Sequence, residues 1–134
     1  MGQYHHLVNV DKKEVVNPHG LGLGLKQYEH TAVNGGGSLA DAMYILMMTS
    51  PARGGGDFPQ TDISGRWTGD RVLVLGDYTE DSDVPSIPNV GSINSEADKN
   101  YTDITDMVAK AFEEVFRIRI SGEGWKRRVS LESA

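Results

Sequence analysis

Apolar residues follow a helical spacing in two stretches of the chain. Ser38 is a good helix N-cap, and Asp41 three residues later completes a capping box. From Leu39 to Met48 nearly every residue is apolar, which predicts a helix at about 38–49 that is buried on all sides. The second stretch has one apolar face and predicts an amphipathic helix at about 104–118, with these apolar positions: Ile104, Met107, Val108, Ala111, Phe112 and Val115.

The end of the second helix is open to two interpretations. Phe116–Ile120 alternates like a strand, yet no turn residue separates it from the helical pattern. We favour a helix that continues to Ile120 and ends at Gly122. Asp103 or Thr105 is expected to cap its first turn.

Alternating and continuous apolar runs predict the strands. Gln3–Val10 alternates weakly and Val15–Val16 follows a polar turn at Asp11–Glu14, so the N-terminus is predicted to form a β-hairpin. Val72–Leu75 is wholly apolar, which predicts a central strand buried on both faces. With the two helices, these strands predict a single α+β domain over residues 1–134.

The segments between these elements are rich in glycine, proline or polar residues. His19–Leu25 has a leucine at every second position, which predicts an extended segment, with a short helical piece following around Lys26–Glu29. Glu80–Lys99 contains prolines and many polar residues, so we expect a long excursion or a lid. The basic tail from Trp125 to Arg128 is expected to be a solvated chain end.

Composition excludes several classes of protein. The chain has no cysteine, which rules out disulfide-stapled modules and thiol nucleophiles. Its formal net charge of −6 argues against nucleic acid as a partner. No stretch approaches the roughly 18 apolar residues of a membrane span, and the N-terminus lacks a signal-peptide pattern. We expect a cytoplasmic protein, and no motif indicates a cofactor.

The residues most suggestive of a binding site surround the predicted central strand. The glycine run Gly54–Gly56 lies between Arg53 and Asp57, where backbone amides and a guanidinium could hold a phosphate or carboxylate. Trp67 and Arg71 could enclose a flat ring by stacking and cation–π contact. The candidate ligand-binding residues are Arg53, Gly54, Gly55, Gly56, Asp57, Trp67, Arg71, Asp77 and Tyr78.

Each of these features also has a structural interpretation. The glycine runs, including Gly35–Gly37 before the first helix, would be flexible connectors, and Asp57 stands where a phosphate loop needs a Lys-Ser/Thr pair. Trp67 would cap the core while Asp70 and Arg71 close a hairpin turn. Taken singly, each feature favours the structural interpretation, and the ligand hypothesis depends on the whole set.

A metal site is a weaker alternative. One N-terminal histidine could join Asp57 and Asp77, but adjacent histidines on a strand face opposite sides. No H-x-H or H-E-x-x-H spacing occurs among the four histidines, which are His5, His6, His19 and His30. A serine hydrolase is not supported either, because the chain has no G-x-S-x-G elbow.

Several short motifs together resemble a known family. They are MGQY at Met1–Tyr4, Val8-Asn9, the corner Asn17-Pro18-His19, RGGGD at Arg53–Asp57, WxGDR at Trp67–Arg71, GDY at Gly76–Tyr78 and Tyr101-x-Asp103-Ile104. As a set they are similar to a family of short proteins from actinobacteria, other bacteria and their phages. The resemblance implies a cytoplasmic protein, in the host cytoplasm if it is phage-encoded, and transfers no catalytic residue.

We therefore predict a small non-enzymatic binding protein. Its ligand is expected to be an anionic, nucleotide-like small molecule, or its partner a host protein. One alternative is an interaction module without a ligand site, acting through the Glu80–Lys99 loop and the Trp125 tail. The other is a metal-assisted hydrolase that uses one N-terminal histidine with Asp57 and Asp77. Nothing in the sequence fixes the oligomeric state.

Overall fold

The computed structural model describes residues 5–21, 23, 36–93, 100–121 and 128–131, in which two helices separate three pairs of consecutive strands. In chain order they are β1 (His5–Asn9), β2 (Glu14–Val16), α1 (Leu39–Met47), β3 (Val72–Gly76), β4 (Thr102–Asp103), α2 (Thr105–Phe116), β5 (Ile118–Ser121) and β6 (Arg128–Leu131). Short 3-10 turns lie at Pro18–Leu21, Asp81–Asp83 and Val90–Ser92. The prediction for Lys26–Glu29 lies outside the described residues, and so does the tail from Trp125 as far as Arg127. The last residue of that tail, Arg128, begins β6 and pairs with Ser121, so at this position the chain is a strand rather than a solvated end.

Four of the strands form one mixed sheet in the order β3-β1-β2-β4. β1 and β2 make the predicted antiparallel hairpin, with Val8 opposite Val15. β3 pairs antiparallel with β1, and β4 pairs parallel with β2. The predicted α+β architecture is confirmed. The prediction that β3 is buried on both faces is wrong, because β3 lies at the sheet edge and Val74 is 47% exposed.

The two helices cover one face of this sheet. Leu7 and Val16 project from that face and join Leu46 of α1 and Phe112 of α2 in the main hydrophobic core. Both helix residues are fully buried, as predicted, and burial of one such side chain contributes roughly 1.5–3 kcal/mol. Met43 is only partly buried against the same core.

The opposite face of the sheet is covered by the predicted excursion. Val8 and Val15 form a second core with Ile87, Val90 and Ile93, and all five are buried. As far as it is described, the segment after Glu80 is therefore packed against the sheet rather than open as a lid. These apolar side chains, spaced along an otherwise polar segment, pack it against the sheet.

α1 begins as predicted but is not buried on all sides. The Ser38 side chain accepts a hydrogen bond from the Asp41 amide at 3.1 Å, and the Asp41 carboxylate accepts one from the Ser38 amide at 2.9 Å. This confirms the capping box. The opposite face is open, because Tyr44 is 67% exposed and Met47 is 38% exposed. The prediction of all-round burial is wrong because the core lies on one side of the helix only.

The predicted continuation of α2 to Ile120 is also wrong. Arg117 adopts a left-handed conformation with φ of 53°, which ends the helix at Phe116. β5 then pairs antiparallel with β6, with Ile118 opposite Leu131. The alternation across 116–120 therefore predicted the secondary structure better than the helical period did. The partner of this strand is β6, which the local sequence pattern does not reveal. At the other end of α2, the Asp103 carboxylate accepts a hydrogen bond from the Thr105 amide at 2.8 Å.

The leucine-rich segment after the hairpin is not extended where it is described. Pro18–Leu21 forms a 3-10 turn, in which the Gly20 amide donates to the Asn17 carbonyl at 3.0 Å. Leu21 and Leu23 are buried in the main core. The first two of the alternating leucines thus reach the core from within and directly after this turn.

Candidate functional site

Trp67 lies wholly inside the molecule. Its indole Nε1 donates a hydrogen bond to Glu14 Oε1 at 2.7 Å, and its backbone amide donates to the Leu46 carbonyl at 2.8 Å. The side chain is 0% exposed. Trp67 therefore joins β2 to the C-terminal end of α1, and its ring faces are not open to a ligand.

The partner of Trp67 is a residue that the sequence did not single out. Glu14 is 6% exposed and also accepts hydrogen bonds from Arg66, with Nε at 3.0 Å from Oε1 and Nη2 at 2.5 Å from Oε2. Burial acts to raise the pKa of Glu14, but the hydrogen bonds from Arg66 and Trp67 outweigh it and hold the pKa below its ordinary value. The only sequence signal is an acidic residue at the end of the predicted polar turn, directly before Val15.

Two more charged contacts join the same hairpin to the residues after Trp67. Asp70 accepts hydrogen bonds from Lys12 Nζ at 2.5 Å and from Asn9 Nδ2 at 2.9 Å, and these lower its pKa. Arg71 donates to Asp11 through its backbone amide at 2.7 Å and through Nε at 2.9 Å, which lowers the pKa of Asp11. The WxGDR motif therefore serves to bind the β1–β2 turn.

The Arg53–Asp57 loop is closed by its own carboxylate. Asp57 Oδ2 accepts hydrogen bonds from the Arg53 amide at 3.1 Å and from the Gly54 amide at 2.8 Å. All five residues of the loop are exposed, and Gly56 has φ of 83°, which favours glycine. Two of the amides that could hold an anion are thus already engaged.

The other glycine run shows a similar arrangement where it is described. The Gly37 amide and the Ser38 amide both donate to Asp41 Oδ2 at 2.9 Å. The start of α1, which could attract an anion through its unpaired amides, therefore holds a carboxylate of the chain itself.

β3 separates the remaining candidate residues. Arg71 precedes the strand, while Asp77 and Tyr78 follow it and are both exposed. A strand of five residues spans four steps of about 3.3 Å, so its first and last residues lie roughly 13 Å apart, and Arg71 and Asp77 lie beyond them. The candidate residues consequently do not converge on one cleft.

A groove of about 700 Å³ opens on the outer face of α1, against the segment that follows this helix. We call it the α1 groove; its principal lining residues are Met43, Tyr44, Met47, Met48, Asp57 and Phe58. The Tyr44 and Phe58 rings meet edge to face with centroids 5.7 Å apart, and Phe58 rests on Phe116 at 5.3 Å. Three of the chain's five methionines line the groove. Of the predicted site residues, Gly56 and Asp57 reach it.

The described part of the chain can be examined for a metal site and for a membrane-spanning helix. No group of three or more His, Cys, Asp or Glu side chains there could hold a metal ion. Among the same residues, no helix has the length and apolar character needed to cross a membrane.

Comparisons with other proteins identify no relative. No protein-family model matches the chain, and neither the curated proteins nor the solved structures yield a similar protein.

Proposed function

We propose that this is a small-molecule-binding protein whose site is the α1 groove. The observation that carries the proposal is the apolar outer face of α1, where Tyr44 is 67% exposed and Met47 is 38% exposed. The ligand we propose has a flat, apolar portion and an anionic group, the chemistry of a nucleotide-like molecule. Catalysis is not part of the proposal.

The groove has the size and lining of a ligand site. Its volume of about 700 Å³ falls within the roughly 300–1,000 Å³ typical of small-molecule pockets. Tyr44 and Phe58 offer ring surfaces, and Met43 and Met47 add flexible, polarisable side chains that adapt to a flat ligand. Apolar side chains gathered on one exposed face usually mark a binding surface.

The residue best suited to bind the anionic group of the ligand is Arg53, at the rim of the α1 groove. Its guanidinium has no ion-pair partner in the part of the chain that the structure describes. Its backbone amide lies 3.1 Å from the Asp57 carboxylate, and Asp57 lines the groove. A side chain placed at Gly55 would meet nothing within 4 Å, so the rim beside Arg53 is open. Because Asp57 repels a neighbouring anion, we assign that group to Arg53 rather than to the groove floor.

The proposal is tested by thermal shift with AMP, GMP, cyclic dinucleotides and the aromatic anion anilinonaphthalene sulfonate (ANS). A ligand that binds only the folded state raises the melting temperature by mass action. At least one probe should do so, and Tyr44→Ala and Arg53→Ala should each remove the shift.

Two control variants match these changes outside the groove. Met107 on α2 has the same 38% exposure as Met47, so Met107→Ala should keep the shift that Met47→Ala weakens. Lys110→Ala removes one positive charge from α2, as Arg53→Ala does from the loop. If both controls lose the shift as well, the probes are not binding in the groove.

A protein partner is the second candidate, and the three groove methionines favour it. Thioether side chains suit surfaces that accept apolar segments of different partners. No shift with any probe at about 1 mM, together with one stoichiometric partner recovered from bacterial lysate, would replace the ligand proposal by this one. On the family resemblance alone, we place the protein in the bacterial cytoplasm, or in the host cytoplasm if it is phage-encoded.

A further inference from the structure

Among the described residues, no strand pairs with the outer edge of β3 in the four-stranded sheet. The Val10 amide donates to the Arg71 carbonyl at 3.0 Å, so the backbone groups of Arg71 point towards β1. In an antiparallel pair these directions alternate along the strand. Leu73 and Leu75 therefore bond to β1, whereas Val72, Val74 and Gly76 turn their amides and carbonyls away from it.

Two of those three residues lack a backbone partner within the described residues. Gly76 is satisfied locally, because its amide donates to Thr79 Oγ1 at 3.0 Å and its carbonyl accepts from the Thr79 amide at 3.1 Å. Val72 and Val74 have no comparable contact among the described backbone bonds. The strand VLVLG also lacks the proline or charged residue that usually protects an edge from pairing. Two amides and two carbonyls are thus available side by side.

We propose that this edge binds the β3 edge of a second copy of the chain, in an antiparallel pair related by a two-fold axis at Leu73. In this register Val72 of each copy lies opposite Val74 of the other. All four available groups of each chain are then paired, which makes four hydrogen bonds across the axis. The Gly76–Thr79 turn is left intact. Val74, which is 47% exposed, gains an apolar neighbour across the pair.

The charges at the two ends of β3 favour the antiparallel orientation. Arg71 precedes the strand, and Asp77 follows it within the Gly76–Thr79 turn. In the proposed register Arg71 lies opposite Leu75 of the second copy, which brings its long side chain near the turn that carries Asp77 of that copy. Arg71 contacts Asp11 through Nε and Nη2, which leaves Nη1 for a second carboxylate. A parallel pair would bring like charges together instead.

The test is sedimentation velocity over a concentration series up to about 1 mM, with amide exchange followed by NMR. The wild-type protein should approach twice the mass of one chain, and the Val72 and Val74 amides should become protected as the dimer forms. Val74→Lys should raise the dimer dissociation constant at least about tenfold, because a charged edge residue opposes pairing. Val74→Thr keeps the branched side chain and should stay dimeric.

Asp77→Arg is a second variant, in an exposed turn outside the strand, that should weaken the dimer without altering the sheet. A monomer across the whole series would overturn the proposal. A dimer that neither Val74→Lys nor Asp77→Arg weakens would do the same, because its contact would lie elsewhere. ANS binding should be unchanged by Val74→Lys, so the outcome is independent of the α1 groove.

Discussion

The hairpin–Trp67 region, which consists of Glu14, Arg66 and Trp67, differs from the α1 groove in both the type and the exposure of its residues. In the first, Trp67, Arg66 and Glu14 carry the chemistry that usually marks a site, yet they are bonded to one another. In the second, Tyr44 and Met47 have the character of core residues, yet they face outward. Residue type alone therefore does not separate site from scaffold in this chain.

The two regions differ because buried polar groups need hydrogen-bond partners, whereas exposed apolar side chains do not. A buried indole N–H or carboxylate is costly unless it is paired, so the polar residues of the first region are held by their partners. The exposed apolar face of α1 has no such constraint, and it is free to contact a ligand. The first region therefore belongs to the scaffold, and the second is the region that we propose as the site.

The largest expected effect is the loss of Trp67. Trp67→Ala should lower the free energy of unfolding by roughly 3–5 kcal/mol, because it leaves a cavity in the main core and leaves Glu14 without one donor. Urea unfolding measures this change. A loss below about 1 kcal/mol would contradict the role of Trp67 in joining β2 to α1.

Removing the charge of Glu14 should have the next largest effect. Glu14→Gln leaves Arg66 without its counter-ion and weakens the bond from Trp67, which should cost roughly 2–3 kcal/mol. Glu114→Gln makes the same chemical change at an exposed position of α2 and is the control. Equal unfolding midpoints for the two variants would contradict the buried role of Glu14.

Acid should lower the free energy of unfolding through the carboxylate of Glu14. The folded protein holds the pKa of Glu14 below its ordinary value of 4.5, so the unfolded chain binds the proton more readily. The stabilisation is fully present above pH 4.5 and is lost as the pH falls through the lowered pKa of the folded state. Asp11 and Asp70 act in the same direction. Urea unfolding from about pH 6 to pH 3 should therefore fall more steeply for the wild type than for Glu14→Gln, and parallel curves would exclude this linkage.

The smallest effect on stability is expected in the groove. Tyr44→Ala should change the free energy of unfolding by no more than about 0.5 kcal/mol, because the side chain is mostly exposed. The same variant should remove the thermal shift produced by ANS. A loss of stability like that of Trp67→Ala would show that Tyr44 belongs to the scaffold.

The local sequence pattern was enough to predict much of the fold. The capping box at Ser38, the hairpin and the amphipathic face of α2 each depend on residues close in sequence. The errors arose where a distant partner decides the outcome. Ile118–Ser121 is a strand because β6 pairs with it, and β3 lies at an edge because no further strand follows it in the described sheet.

The candidate site was harder to predict for the same reason. Glu14 and Trp67 are 53 positions apart, so no spacing rule connects them. The apolar run of α1 predicted burial because hydrophobicity does not tell which side of a helix the core will cover. Only Gly56 and Asp57 of the predicted set reach the groove, through their place in the loop after the helix.

The most direct test of the account is NMR of the methionine methyl groups during an ANS titration. Met43, Met47 and Met48 line the α1 groove, whereas Met107 has similar exposure on α2 and lies outside it. We predict saturable shifts of the three groove methyl signals, with Met107 and the Trp67 indole N–H unmoved. Shifts of the Trp67 signal with the groove methionines unchanged would contradict binding in the α1 groove and would indicate a site in the hairpin–Trp67 region.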